Sequence, residues 1–171
     1  MDLEKLKEPL SINDIDFRVQ SINKGGYATI LAYKDARVDM NRLDEVCGAL
    51  NWKREHTRNN ANCIVSIYDE TKKEWISKED TGAESFTEKE KGLASDSFKR
   101  ACFNWGIGRE LYDYPMIQIK LNDNEFDKTT NKSTWNFKLK EWIWGSEFKD
   151  GKLTKLAAKD QNGVLRFNWK N

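Results

Sequence analysis

Glu79, Asp80 and Glu84 form the tightest carboxylate cluster near an expected turn, with Lys78 beside them. Metal-assisted phosphodiester hydrolysis needs acids that converge in space, often with a lysine close by. A magnesium-dependent nuclease is therefore one reading of the cluster, and ordinary solvated turn acids are the competing one. His56 is the sole histidine. No Cys or Ser motif accompanies it, so a nucleophilic triad has little to build on, and a strand-surface position is expected. A nucleotide-driven machine needs a glycine loop followed by Lys-Ser/Thr to wrap backbone amides around phosphates, and the chain has none. The residues thus assign no catalytic group, no metal ligand and no cofactor.

Cations beside aromatics offer different chemistry. Lys99 and Arg100 are adjacent, and at ~100° per residue Lys89, Asp96 and Phe103 share their side of a helix. Gly92 and Ser95 are small enough to admit a nucleic-acid backbone there, with Lys and Arg for phosphates and Phe103 as an apolar surface. The competing reading is a solvated charged face. A second basic and aromatic run is Trp52-Lys53-Arg54-Glu55-His56-Thr57-Arg58. On a strand, Trp52, Arg54 and His56 point one way and Lys53, Glu55 and Thr57 the other.

The elements that must position these residues follow from hydrophobic periodicity. Ile15, Phe17 and Val19 alternate with polar residues, Asn23-Lys24-Gly25-Gly26 supplies a turn, and Tyr27 to Tyr33 reads as the second arm of a hairpin. Val38, Leu43, Val46, Cys47 and Leu50 mark a short helix with Asp39 as its N-cap. Runs at 51–57, 63–68 and 74–78 predict an antiparallel meander. The long helix spans about 88–105, with Thr87 and Glu90 as a capping box and Gly106 at its far end. Its Leu93, Ala94, Ser97, Phe98, Ala101, Cys102 and Trp105 form one broad face for packing on the sheet. Beyond Pro115 the sequence predicts a strand at 116–121, a polar loop, an aromatic stretch from Trp135 to Trp144, and a last hairpin turning at Asn162-Gly163.

At 171 residues one domain with a real core is expected. Its core is residues 1–115, with 116–171 as an appended β-element of the same domain. The net charge of +1 neither requires nor forbids nucleic acid, so local patches must decide. Cys47, Cys63 and Cys102 are odd in number, widely spaced and set in apolar patterns, which predicts reduced core thiols and a cytoplasmic setting. The opening MDLEKLKEPL has no apolar core, and no run approaches ~18 apolar residues, so neither export nor a membrane span is expected.

Two stretches resemble a known family. Residues 90–108, EKGLASDSFKRACFNWGIG, are similar to the signature helix of the Rad-fifty-two/Sak superfamily of single-strand annealing proteins, especially its short phage-type members. Residues 36–48, ARVDMNRLDEVCG, followed by Trp52, resemble the same family's hairpin exit and first helix. The resemblance covers about Asp14 to Tyr114 and implies an α+β fold, a β-β-β-α core with the long helix across an antiparallel sheet. It further implies a homo-oligomer, ring or helical filament, with DNA in a basic groove. Arg37 and Lys99 match the positions that hold the DNA backbone, and Arg100 matches a neighbouring basic position. Where eukaryotic members carry another basic residue after this pair, Phe103 stands here, which puts a second DNA surface along that helix in doubt.

The resulting expectation is a single-stranded DNA-binding protein that anneals complementary strands without ATP in phage-type recombination and repair, and is no enzyme. Arg37, Lys99, Arg100, Lys89, Lys53 and Arg54 are its candidate DNA contacts. A single-strand-binding protein or an exonuclease is the class of further partner, and the bacterial cytoplasm the expected compartment. The alternatives are the nuclease above and a module that binds single strands without pairing them.

Overall fold

The computed structural model describes residues 2–83 and 89–171, and the chain divides into two compact units, Met1–Pro9 with Asp35–Arg109 and Leu10–Lys34 with Glu110–Asn171. The fold is α+β with antiparallel sheets.

In the first unit, β3 (Trp52–Thr57), β4 (Asn62–Asp69) and β5 (Glu74–Thr81) form the predicted meander. Trp52 pairs with Ile67, and Ile67 with Ile76, so one face carries Trp52, Arg54 and His56, then Cys63, Val65 and Ile67, then Ile76, Lys78 and Asp80. Helix α2 (Lys89–Trp105) packs on this face. Its Phe98, Ala101 and Cys102 are fully buried, and the Trp105 indole N–H donates to the Val65 carbonyl at 3.0 Å. The end of α2 is secured by side chains: Lys78 Nζ and Arg109 Nη2 donate to the Asn104 carbonyl at 2.8 and 2.9 Å. Gly106 then takes φ +109°, as the helix stop requires. The Thr87–Glu90 capping box lies outside the described residues.

Helix α1 (Ala36–Cys47) packs against α2. Its N-cap is Asp35, whose Oδ1 accepts from the Arg37 N–H at 2.8 Å, rather than Asp39, which is buried inside the first turn. The apolar stripe begins at Val38, and counting from it sets the start too late. Cys47, Cys63 and Cys102 are buried and form no disulfide, and burial pushes the Cys47 and Cys63 thiols up to about 11.

The second unit holds two three-stranded sheets. β1 (Asp16–Ile22) and β2 (Tyr27–Tyr33) form the predicted hairpin, and β6 (Ile117–Lys120) pairs with the other edge of β2. Asn23 Oδ1 organises the turn by accepting from the N–H groups of Gly25 and Tyr27 at 2.9 and 3.0 Å. A two-stranded ribbon, β7 (Phe126–Asp127) with β8 (Lys132–Ser133), follows. The C-terminal element is a full meander, in which β10 (Lys152–Lys159) lies between β9 (Ile143–Lys149) and β11 (Leu165–Lys170). The aromatic stretch from Trp135 forms no strand before Ile143. Trp135 is 81% exposed, a 3-10 turn spans Leu139–Glu141, and Phe137, Leu139 and Trp142 enter the core from irregular backbone. Aromatic content there reflects core filling rather than strand periodicity. Arg166 forms a buried ion-pair trio with Glu125 at 2.7 Å and Asp160 at 3.2 Å, beneath the Trp142 ring. No helix among the described residues is long and apolar enough to cross a membrane.

Candidate nucleic-acid interface

Helix α1 packs against α2, and Asp35 at its N-terminus feels cations from both helices. Arg37, in the first turn of α1, turns back so that its Nε donates to Asp35 Oδ1 at 2.9 Å. The half-buried Lys99, midway along α2, acts on the same carboxylate through its charge. Asp35 is held below the usual carboxylate value by the hydrogen bond from the Arg37 side chain, then by the Arg37 backbone N–H, with the charges of Arg37 and Lys99 adding and burial opposing. It is therefore ionised at neutral pH. The Arg37 side chain is 82% exposed, and an ion pair so open to water contributes about 0–1 kcal/mol. A phosphate oxygen can displace the carboxylate at small cost. An exposed Arg37–Asp35 pair at the positive end of a helix, within reach of the Lys99 charge, is an arrangement suited to phosphate.

Arg100, the neighbour of Lys99, pairs with Asp96 one turn back at 3.0 Å, while Asp96 Oδ2 also accepts the Ala83 N–H at 2.8 Å. The two cations of the Lys-Arg pair thus stand in different settings, Lys99 toward Asp35 and Arg100 toward Asp96. Arg54 lies on the helix-facing side of β3 with its guanidinium 4.7 Å from the centre of the Phe98 ring, and Trp52 stacks on that ring at 6.2 Å. Lys53 points to the opposite face of the sheet, 4.5 Å above the Trp75 ring. Strand alternation therefore divides these two candidates. Lys89 opens α2, and its side chain lies outside the described residues.

The matching model of the Rad52/22 family double-strand break repair protein covers residues 3–130, three quarters of the chain and all of this helix pair. The chain belongs to the Rad52/22 family. The similar curated proteins include two named single-stranded DNA-binding protein DdrA. That of Deinococcus radiodurans is 30% identical over 115 residues, 66% of this chain and 55% of the relative. That of Deinococcus deserti is 31% identical over 123 residues, 70% of this chain and 61% of the relative. The chain thus spans a little over half the length of these relatives. No solved structure matches it. Membership of the Rad52/22 family accords with the β-β-β-α order of β3, β4, β5 and α2. Strands β9, β10 and β11 lie beyond the matched stretch.

The residues considered for chemistry are placed otherwise. Glu79 and Asp80 are adjacent on β5 and face opposite ways, Glu79 accepting from Asn62 at 2.7 Å and Asp80 from Asn104 of α2 at 3.2 Å. Glu84 lies outside the described residues. Among the described residues no three His, Cys, Asp or Glu side chains gather as a metal site. His56 is half-buried toward α2 rather than on an open surface, its Nδ1 3.4 Å from the hydroxyl of Ser97. Burial, then the charge of Arg54, holds its pKa below the ordinary 6.5. Asp35 is the residue that sequence reasoning missed. An Asp two positions before Arg37 carries the signal of an N-cap, but placing the cap at Asp39 hid it.

Proposed function

We propose that the protein binds single-stranded DNA by its phosphates through the α1–α2 seat and anneals complementary strands without nucleotide hydrolysis. The observation that carries the reading is the exposed Arg37–Asp35 pair at the first turn of α1, with the charge of Lys99 reaching the same carboxylate. The names of the Deinococcus relatives support the ligand, and the repair family supports the setting. Gripping phosphates while leaving base edges accessible reduces strand repulsion and pre-orders bases, so duplex formation itself supplies the driving force. Arg100 and Arg54 extend the basic surface, and repetition of the seat in a homo-oligomer, ring or filament, gives the continuous track that a long strand needs. In this reading the protein breaks no covalent bond.

The test is fluorescence anisotropy with a labelled oligothymidylate, alongside an annealing assay on complementary oligonucleotides. Arg37→Ala and Lys99→Ala should each weaken binding by about 1–3 kcal/mol, the scale of a charge-assisted contact. Annealing should slow with them, whereas Lys128→Ala, in the turn between β7 and β8, should behave as wild type. Equal behaviour of all three variants would remove the seat from consideration. Tight binding without acceleration of pairing would reduce the protein to a passive binding module.

A further inference from the structure

The outer face of the C-terminal sheet carries more cations than carboxylates. Trp144, Leu156, Ala158, Phe167 and Trp169 face inward to the core of the second unit. The alternate positions form a grid on the other side. Lys159 lies between Ile143 and Leu165, Ala157 between Gly145 and Asn168, and Lys155 between Glu147 and Lys170, while Lys152 pairs with Lys149. Glu147 is the carboxylate set within these rows, and it holds Lys155 at 2.7 Å. Asp150 sits in the turn at the end of the sheet, and Asp160 is engaged in the buried trio with Arg166 and Glu125.

Two features separate this face from ordinary solvated charge. Lys152 and Lys149 are like charges directly opposite across strands, an arrangement that costs stability in the free protein, and Lys155 stands against Lys170 with the Glu147 carboxylate shared between their charges. Lysines on edge strands can serve to block edge-to-edge pairing. Lys152, Lys155 and Lys159 are on the central strand, where no edge needs protection.

We propose that the outer face of β9–β10–β11 is a second contact surface for single-stranded nucleic acid. Lys155, Lys159 and Lys170 hold phosphates, with outward positions spaced about 7 Å apart along each strand and about 5 Å between strands. Ala157 and Gly145 leave a low floor between the lysine rows, with nothing within 4 Å of a Cβ placed at Gly145. Ile143 and Leu165, 71% and 54% exposed, flank Lys159. Apolar side chains beside a phosphate-binding lysine suit a ligand whose bases are unpaired. A duplex would hide those bases and leave both residues in water. The surface lies outside the stretch that marks the family, and only the choice of DNA as the polyanion rests on the proposed function.

The experiment compares the full-length Lys155→Ala/Lys159→Ala/Lys170→Ala chain with the full-length Lys24→Ala/Lys128→Ala/Lys140→Ala chain, which loses the same charge elsewhere. Affinity for a long labelled oligothymidylate is measured across a salt series. The first variant should show a log–log salt slope smaller by about 2, at ~0.7 per phosphate contact, and the second an unchanged slope. Thermal stability of the first should stay near wild type, because loss of the Lys155–Glu147 pair offsets relief of the Lys155–Lys170 repulsion. Equal slopes for the two variants overturn the proposal. If Lys99→Ala still weakens binding in that case, the helix-pair seat stands and this surface alone is rejected. The opposite pattern rejects the seat and keeps the surface. Competition by a polyglutamate peptide as effective as that of oligothymidylate, or equal affinity for duplex and single strand, also overturns it, the former pointing to an acidic protein partner.

Discussion

Asp35 both builds the proposed phosphate seat and competes for it. Its carboxylate caps α1 and pairs with Arg37, so an incoming phosphate must compete with it. Asp35→Asn keeps a side-chain oxygen for the cap and removes the competing charge. Single-strand affinity should rise several-fold, read by the same anisotropy titration, and an unchanged or weaker affinity contradicts the competition. His56 carries a second residue-scale consequence. Its folded pKa lies below the unfolded value, so on acidification the unfolded chain takes up the proton first. The stability of the wild type should therefore fall as pH drops through about 6.5 toward the folded pKa, then level off. His56 is the only histidine, so urea midpoints for His56→Gln should lack that component of the pH dependence. Equal slopes for the two proteins between pH 7 and 5 would show that the ring is not desolvated.

At the scale of elements, the meeting of β5 with α2 depends on one missing side chain. A Cβ at Gly82 would stand 2.6 Å from the Ser97 nitrogen and 2.9 Å from the Leu93 carbonyl oxygen, both helix backbone that cannot swing aside. Gly82→Ala should cost about 1–3 kcal/mol by displacing the helix, while Gly145→Ala, with open space around it, should be neutral or slightly stabilising. Chemical denaturation of both variants checks the contrast. The elements themselves were mostly legible. Period-2 runs located the first hairpin and the meander, and the apolar spacing from Leu93 to Trp105 located the face of α2 that is buried. Gly82 was not legible, because its role depends on two segments meeting in space. Nor was β9: the turn at Asn162-Gly163 announced the hairpin of β10 and β11, but nothing in it announced the third strand that pairs with the other edge of β10. The proposed seat combines Arg37 and Lys99, which similarity suggested, with Asp35, whose capping and pairing came only with the fold.

For the whole molecule, the prediction is electrostatic. A net charge of +1 offers little long-range attraction, so binding must come from local cations. Log affinity for single strands should fall linearly with log salt, with a slope of ~0.7 for each phosphate neutralised, and steeply if several subunits share a strand. Light scattering with and without oligonucleotide supplies the subunit number against which the slope is read. A flat salt response, or a strict monomer in both states, would count against a continuous track.

The interleaving of the two units in the chain also bears on how the protein is made. Strands β1 and β2 emerge early from the ribosome, yet the partner for the outer edge of β2 is β6, which begins only at Ile117. At roughly 5–20 residues per second, the edge of β2 stays unpaired for on the order of ten seconds of synthesis. During that interval Ala28 and Ile30, both buried in the finished protein, have no sheet partner on that side. The nascent hairpin is thus the segment that most needs shielding, and chains released before residue 117 should be recovered in the insoluble fraction.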